Sequence, residues 1–275
     1  MTNNPGLDLA QLQALRTLPH NLDQIRDRIA DHLATHDGYV ALSGGKDSLV
    51  VLHLALQVDP NVPVCFFDSG LEYPETYTFL ADLADAWSVK LQLIPARINA
   101  LQLLVDDGSW DHRAPDHPGG PSLGTVHITE PARIAHERHG DGELWGVRAE
   151  ESRGRAIAYA RALAAETARS CAGTCQNRRS THGGVIRRVD GTVAYGPIWN
   201  WKTHEVWAYL ARHHVPSNPV YRKLQDLGAP EHFQRISNVL DANRLEEGRA
   251  AWLKRGWPDL FERLRSVLPR LGEYV

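Results

Sequence analysis

Cysteine is scarce in this chain, with three among 275 residues. An odd, low count builds no disulfide framework, so the fold must rest on a packed core, and a reducing, cytoplasmic setting is expected. No apolar run approaches the roughly 20 residues that a membrane helix needs. The opening MTNNPGLDLA lacks the basic start and apolar stretch of a secretory signal. Neither sign of charge dominates: 30 Lys and Arg against 33 Asp and Glu leave a net charge of −3. No global field therefore draws the chain to nucleic acid or to an anionic membrane. The 14 histidines hold no zinc-site pair, since His204-Glu205 lacks a second histidine at helical spacing.

What the chain does have is alternation. Leu22, Ile25, Ile29 and Leu33 recur at helical spacing behind Asn21, a cap residue. Tyr39–Leu42, Pro63–Phe67 and Lys90–Ile94 are short apolar runs expected as strands, with helices expected over Ser48–Gln57 and Pro74–Trp87. Such alternation predicts right-handed crossovers and a parallel sheet. Asp106–Gly124, rich in Gly, Pro, Asp and His, reads as a long loop. A helix is expected over Pro131–His139, a strand over Glu143–Val147 and a helix over Gly154–Ser170. Cys171–Gly184 is irregular, and Val185–Tyr195 reads as a hairpin turning at Asp190-Gly191. Helices dominate from Thr203 to Leu268. The expected division is an N-terminal helical segment over 1–37, an α/β nucleotide domain over 38–200 and a helical part over 201–275.

Residues 38–48 read GYVALSGGKDS. A strand that leaves through Gly44 and Gly45 admits positive φ and turns backbone N–H groups outward. With the start of the next helix, these groups form an anion cradle at the carboxyl end of a strand. Ser43 and Ser48 add hydroxyls, Lys46 a charge for a phosphate oxygen, and Asp47 a ligand for Mg²⁺. The Walker A loop is excluded, because Val40 and Asp47 stand where it needs Gly and Ser or Thr.

The stretch Ser43-Gly44-Gly45-Lys46-Asp47-Ser48 resembles the pyrophosphate-binding loop of the ATP pyrophosphatases. Phe67–Thr76, reading FDSGLEYPET, and Trp145–Arg153, reading WGVRAEESR, resemble segments of the phosphoadenosine phosphosulfate (PAPS) reductase group. So does YGPIWNW at Tyr195–Trp201, followed by EVWAYL and PSNPVY. The resemblance implies a Rossmann-like (HUP-type) α/β fold, a parallel sheet flanked by helices with a helical C-terminal part. It also implies an adenine nucleotide held by Ser43, Gly44, Gly45, Lys46, Asp47, Ser48, Asp68, Ser69, Gly70, Glu72, Gly146 and Arg148. Arg148, Arg153 and Arg155 near strand and helix ends suit a polyanion, and Glu150 and Glu151 either hold those arginines or ligate Mg²⁺. Trp199 and Trp201 are expected as packing groups, and Tyr209 and Leu210 as core.

The reaction expected from this resemblance turns on two departures from the reductases. Their catalytic cysteine lies near the C-terminus, and this chain has none after Cys175. They also tend to lack the loop lysine, and Lys46 is present. Both departures point to ATP with Mg²⁺ and to adenylyl transfer with pyrophosphate release, with Lys46, Arg148 and Arg153 in catalytic roles. The acceptor is then a small anionic or phosphorylated molecule, and an iron–sulfur cluster is not expected. The alternatives are a sulfonucleotide reductase or sulfotransferase-like enzyme using Cys171 or Cys175, whose thiols lie among Arg178, Arg179 and His182, and a non-catalytic nucleotide-binding partner subunit. A homo-oligomer is compatible with any of these. Cys65, inside an apolar run, is expected in the core.

Overall fold

The computed structural model describes residues 13–107, 122–171, 181–237, 239–240 and 248–275. The chain divides into two compact units, each built from separate stretches: 1–65, 90–92 and 135–217 in the first, and 66–89, 93–134 and 218–275 in the second. Among the described residues no helix is long and apolar enough to cross a membrane.

Helix α1 spans Leu22–His36, and the Asn21 side chain accepts from Gln24 N at 3.2 Å, so the cap acts as its residue type predicts. Strand β1 is Tyr39–Ala41 and helix α2 Lys46–Leu56. Strand β2 is Val64–Asp68, helix α3 Pro74–Trp87 with its proline in the first turn, and strand β3 Leu91–Pro95. Helix α4, Ala100–Asp107, carries Asp106 and Asp107 into regular structure where a loop was expected. The rest of that expected loop, through residue 121, lies outside the described residues. A π-helical turn at Thr125–Thr129 leads into helix α5, Glu130–His139. Strand β4 is Gly142–Trp145 and helix α6 Arg153–Cys171. Strands β5, Val185–Arg187, and β6, Val193–Tyr195, form the expected hairpin, with Gly191 at φ 94° in the turn. Helices α7, Thr203–Arg212, α8, Pro219–Asp226, α9, Ala250–Gly256, and α10, Pro258–Val267, complete the chain.

The six strands form one sheet in the order β3-β2-β1-β4-β6-β5. β1 pairs in parallel with β2 and β4, and β4 in parallel with β6, while β5 closes the edge antiparallel to β6. This is the mostly parallel α/β sheet flanked by helices that the alternation predicted. The parallel strands are apolar because both faces are covered: Val40 and Leu144 are wholly buried, and so is most of α2 from Leu49 to Ala55. Trp201, Val206 and Tyr209 are also wholly buried in the first unit, as expected of packing groups. The second unit has its own core around Tyr73, Leu80, Leu83, Phe261 and Leu264.

Candidate anion-binding site

The chain leaves β1 through Leu42 and enters α2 at Lys46, two residues earlier than the apolar pattern indicates. Lys46 and Asp47 are therefore first-turn helical residues. Only Gly44 takes positive φ, at 75°; Gly45 is extended, as a helix cap requires. The two serines lock the loop to itself. Ser48 Oγ donates to Gly45 O at 3.0 Å and accepts from Ser43 N at 3.2 Å, and Gly45 N donates to Ser43 Oγ at 3.3 Å. Ser48 is buried, so its hydroxyl shapes the loop from beneath rather than facing outward.

Lys46 Nζ lies 2.8 Å from Asp47 Oδ2, and Arg148 Nε donates to Asp47 Oδ1 at 2.6 Å. Both oxygens of Asp47 thus face cations. Glu151, the other carboxylate expected at Mg²⁺, accepts from Arg148 N at 2.8 Å and pairs with Arg155. Among the described residues no group of three or more His, Cys, Asp and Glu is placed to hold a metal.

Arg148 follows β4, and its side chain is only 2% exposed. Its Nη1 donates to Glu150 Oε2 at 2.8 Å and to Trp201 O at 3.0 Å, and its Nη2 to Thr203 Oγ1 at 3.2 Å. Burial opposes its charge, and the Asp47, Glu151 and Glu150 carboxylates together more than offset this, holding the guanidinium above its ordinary range. Arg148 is accordingly a buried tie between the loop, the turn at 149–151 and the start of α7. Arg153, the first residue of α6, is exposed and makes no ion pair among the described residues. Gly146 is required by closeness: a Cβ there would sit 2.6 Å from Ser48 N and 2.7 Å from Asp47 C.

The turn after β2 belongs to the second unit. Asp68 Oδ1 accepts from Gly70 N at 2.8 Å and Tyr77 Oη at 2.7 Å, and Gly70 takes φ 72°. Ser69 Oγ donates to Glu72 Oε1 at 2.8 Å. Burial, helped by the Asp68 charge and only partly offset by the Ser69 bond, pushes the Glu72 carboxyl up to about 7.

The thiols divide. Cys65 is 1% exposed within β2, and burial pushes it up to about 11, which makes it the inert core thiol expected. Cys171 ends α6, and Cys175 with Arg178 and Arg179 lies outside the described residues. Sequence reasoning missed Trp201 and Thr203 as partners of Arg148, and Tyr77 as a partner of Asp68. No local pattern marks these, because most lie tens of residues from the groups they hold.

A family model described as phosphoadenosine phosphosulfate reductase domain matches residues 38–243. A curated relative from Xylella fastidiosa (strain 9a5c), named phosphoadenosine 5'-phosphosulfate reductase, is 26% identical over 221 residues, covering 78% of this chain and 81% of its own. One of the same name from Alkalilimnicola ehrlichii is 26% identical over 243 residues, covering 84% of each chain. Among solved structures, a PAPS reductase from Candida auris in a phosphate complex gives a TM-score of 0.48 at 19% identity, covering 78% of this chain and 94% of that one. The Candida glabrata FMN adenylyltransferase with FMN and an ATP analogue gives 0.43 at 12%, covering 78% and 67%.

These findings overturn the expected reaction. The family model and the curated relatives are those of PAPS reductases, so ATP-dependent adenylyl transfer with pyrophosphate release, and the nucleotidyltransferase class with it, are withdrawn. Lys46, expected to hold a triphosphate tail, has its ammonium 2.8 Å from Asp47 Oδ2 within the loop itself.

Proposed function

The chain belongs to the phosphoadenosine phosphosulfate reductase domain family, and on that premise we propose that it binds an adenine sulfonucleotide and passes the sulfonyl group to a thiol. The observation that carries this reading is the match over 38–243, which begins at the strand feeding the Gly44 loop and continues past Arg148 and Arg153. The backbone N–H of Gly44, beside the N-terminus of α2, suits a phosphate of the nucleotide, while the Gly45 N–H is engaged by Ser43 Oγ. Ser43 and Ser48 fix the loop, and Lys46 and Asp47 set its charge. Arg148 acts through Asp47 as a positioning residue, and Arg153 is the exposed cation for the anionic group. On the strength of the resemblance alone, Asp68, Ser69, Gly70 and Glu72 are offered as further nucleotide contacts.

In this reaction a thiolate attacks the sulfonyl sulfur and the sulfur–oxygen bond to the phosphate breaks. The nucleotide leaves with the electron pair on its phosphate oxygen, and the cysteine carries an S-sulfonate. A second thiolate then attacks the cysteine sulfur, forming a disulfide and releasing sulfite, so the thiols supply the two electrons. Cys65 is too deeply buried for the first step. That leaves Cys171 and Cys175 as the chain's own candidates. The test is sulfite release from phosphoadenosine phosphosulfate with a dithiol reductant, together with intact mass under single turnover. We expect an S-sulfonate on the wild type and none on C171S/C175S. A wild-type chain that does not bind the sulfonucleotide, or a double variant with unchanged sulfite release, would sink this assignment.

A further inference from the structure

The first unit contains a cavity of about 660 Å³ whose lining shares no residue with the Gly44 loop or the 145–155 stretch. It lies among α1, α6 and the β5–β6 hairpin. Its charge is lopsided: Arg28, Arg161, Arg169 and Arg187 stand against Asp31 and Glu166. Glu166 is already engaged, accepting from Gly183 N at 2.8 Å, with His182 Nδ1 at 3.6 Å and Arg28 Nη2 at 3.9 Å. Arg161, Arg169 and Arg187 are exposed and make no ion pair among the described residues. Each of these guanidiniums lacks a carboxylate partner among the described residues, and an anion held in the concavity supplies one.

Two further observations describe the occupant. Arg161 and Arg169 are eight residues apart on α6, which places their Cα atoms about 12 Å apart along the axis at ~1.5 Å per residue. Between them Ala162 and Ala165 line the cavity, and their small side chains leave room for a ligand body. Tyr195 also belongs to this lining; the residue is 1% exposed, and its buried hydroxyl has no hydrogen-bond partner among the described residues. A buried hydroxyl without a partner is uncommon. It lies in a ring covered by the Arg28 guanidinium, 4.8 Å from the centroid.

We propose that this cavity is a second ligand site, separate from the Gly44 loop, for a small molecule carrying two phosphate or sulfate groups on a short body. Arg161 and Arg169 take the two ends, Arg187 contributes from β5, and the alanine stretch of α6 accommodates the body. Because α6 starts at Arg153, occupancy of this site bears on the helix that carries the exposed cation of the proposed sulfonucleotide site.

The test uses the full chain with fructose bisphosphate as probe and inorganic pyrophosphate as the compact comparison. Binding is followed by calorimetry and by the ring resonances of His32 and His36, both in the lining. Fructose bisphosphate is expected to bind the wild type and K46A alike. In R161A/R169A, which removes two exposed side chains and leaves the core intact, binding is expected to weaken at least ~10-fold, a loss of two charge-assisted contacts, and the histidine shifts to vanish. Binding within about twofold of wild type in R161A/R169A, its loss in K46A, tighter binding of pyrophosphate than of fructose bisphosphate, or no saturable shift with the wild type each overturns the proposal.

Discussion

Glu72 keeps its proton into the neutral range because its carboxyl is buried beside Asp68 with one hydrogen bond to offset the loss of water. The consequence for stability has a definite sign. The unfolded carboxyl ionises near 4.5 and the folded one near 7, so between these values the native state binds more protons. Stability contributed by this group is present below about pH 4.5, falls as pH rises and is lost above about 7. Glu72→Gln keeps the shape without the charge. It is expected to match the wild type near pH 4.5 and to exceed it by roughly 1–2 kcal/mol near pH 8, read from denaturant midpoints at the two values. An equal or lower midpoint near pH 8 refutes this account. Residue types in this region were legible in the sequence, but their commitments were not. Lys46 and Arg148 both read as ligands for an anion, and a pattern of letters cannot show that Asp47 already lies against both.

At the scale of elements, the approach of β4 to the start of α2 sets the loop. Gly146 leaves the end of β4 in contact with the backbone of Asp47 and Ser48, where no side chain fits. Gly146→Ala must push these two elements apart, at a cost of about 1–3 kcal/mol as overpacking. The displaced atoms are the first-turn backbone of α2, which directly follows the proposed cradle. We expect sulfonucleotide affinity to fall at least ~10-fold while far-UV circular dichroism is unchanged, and undiminished affinity would refute the cradle. The alternation of strands and helices was readable because period and length distinguish them. The boundaries shifted where polar letters hide regular structure, as at Lys46 and Asp47 in α2 and at Asp106 and Asp107 in α4. At Asp47 the bond from Arg148 comes from 101 positions away, and at Asp106 the Gln102 amide donates from one helical turn earlier.

Across the whole molecule, the two compact units do not follow the order of the chain, since each recruits three separate stretches. The stretch after Ser217 completes the second unit. Asn218 Nδ2 donates to the buried Thr76 hydroxyl at 3.1 Å, Lys223 pairs with Glu75 at 2.7 Å, and the Trp257 ring lies tilted against Tyr73 with centroids 4.3 Å apart while its Nε1 donates to Glu75 Oε2 at 2.7 Å. A chain ending at Ser217 strips these partners from α3 and uncovers Tyr73, Leu80 and Leu83. It is expected to lose cooperative unfolding and near-UV dichroism and to aggregate, as a domain deprived of a large share of its apolar burial does. A soluble, cooperatively folding truncate would show that 218–275 is separable.

The sequence by itself determined the α/β class, the place of the Gly44 loop and the family, because these follow from periodicity and from contiguous motifs. Only the tertiary structure decided which charges face a ligand and which are neutralised within the protein, because ion pairing depends on distances between residues far apart in the chain. Arg148 and Asp47, separated by 101 positions and joined at 2.6 Å, embody that difference.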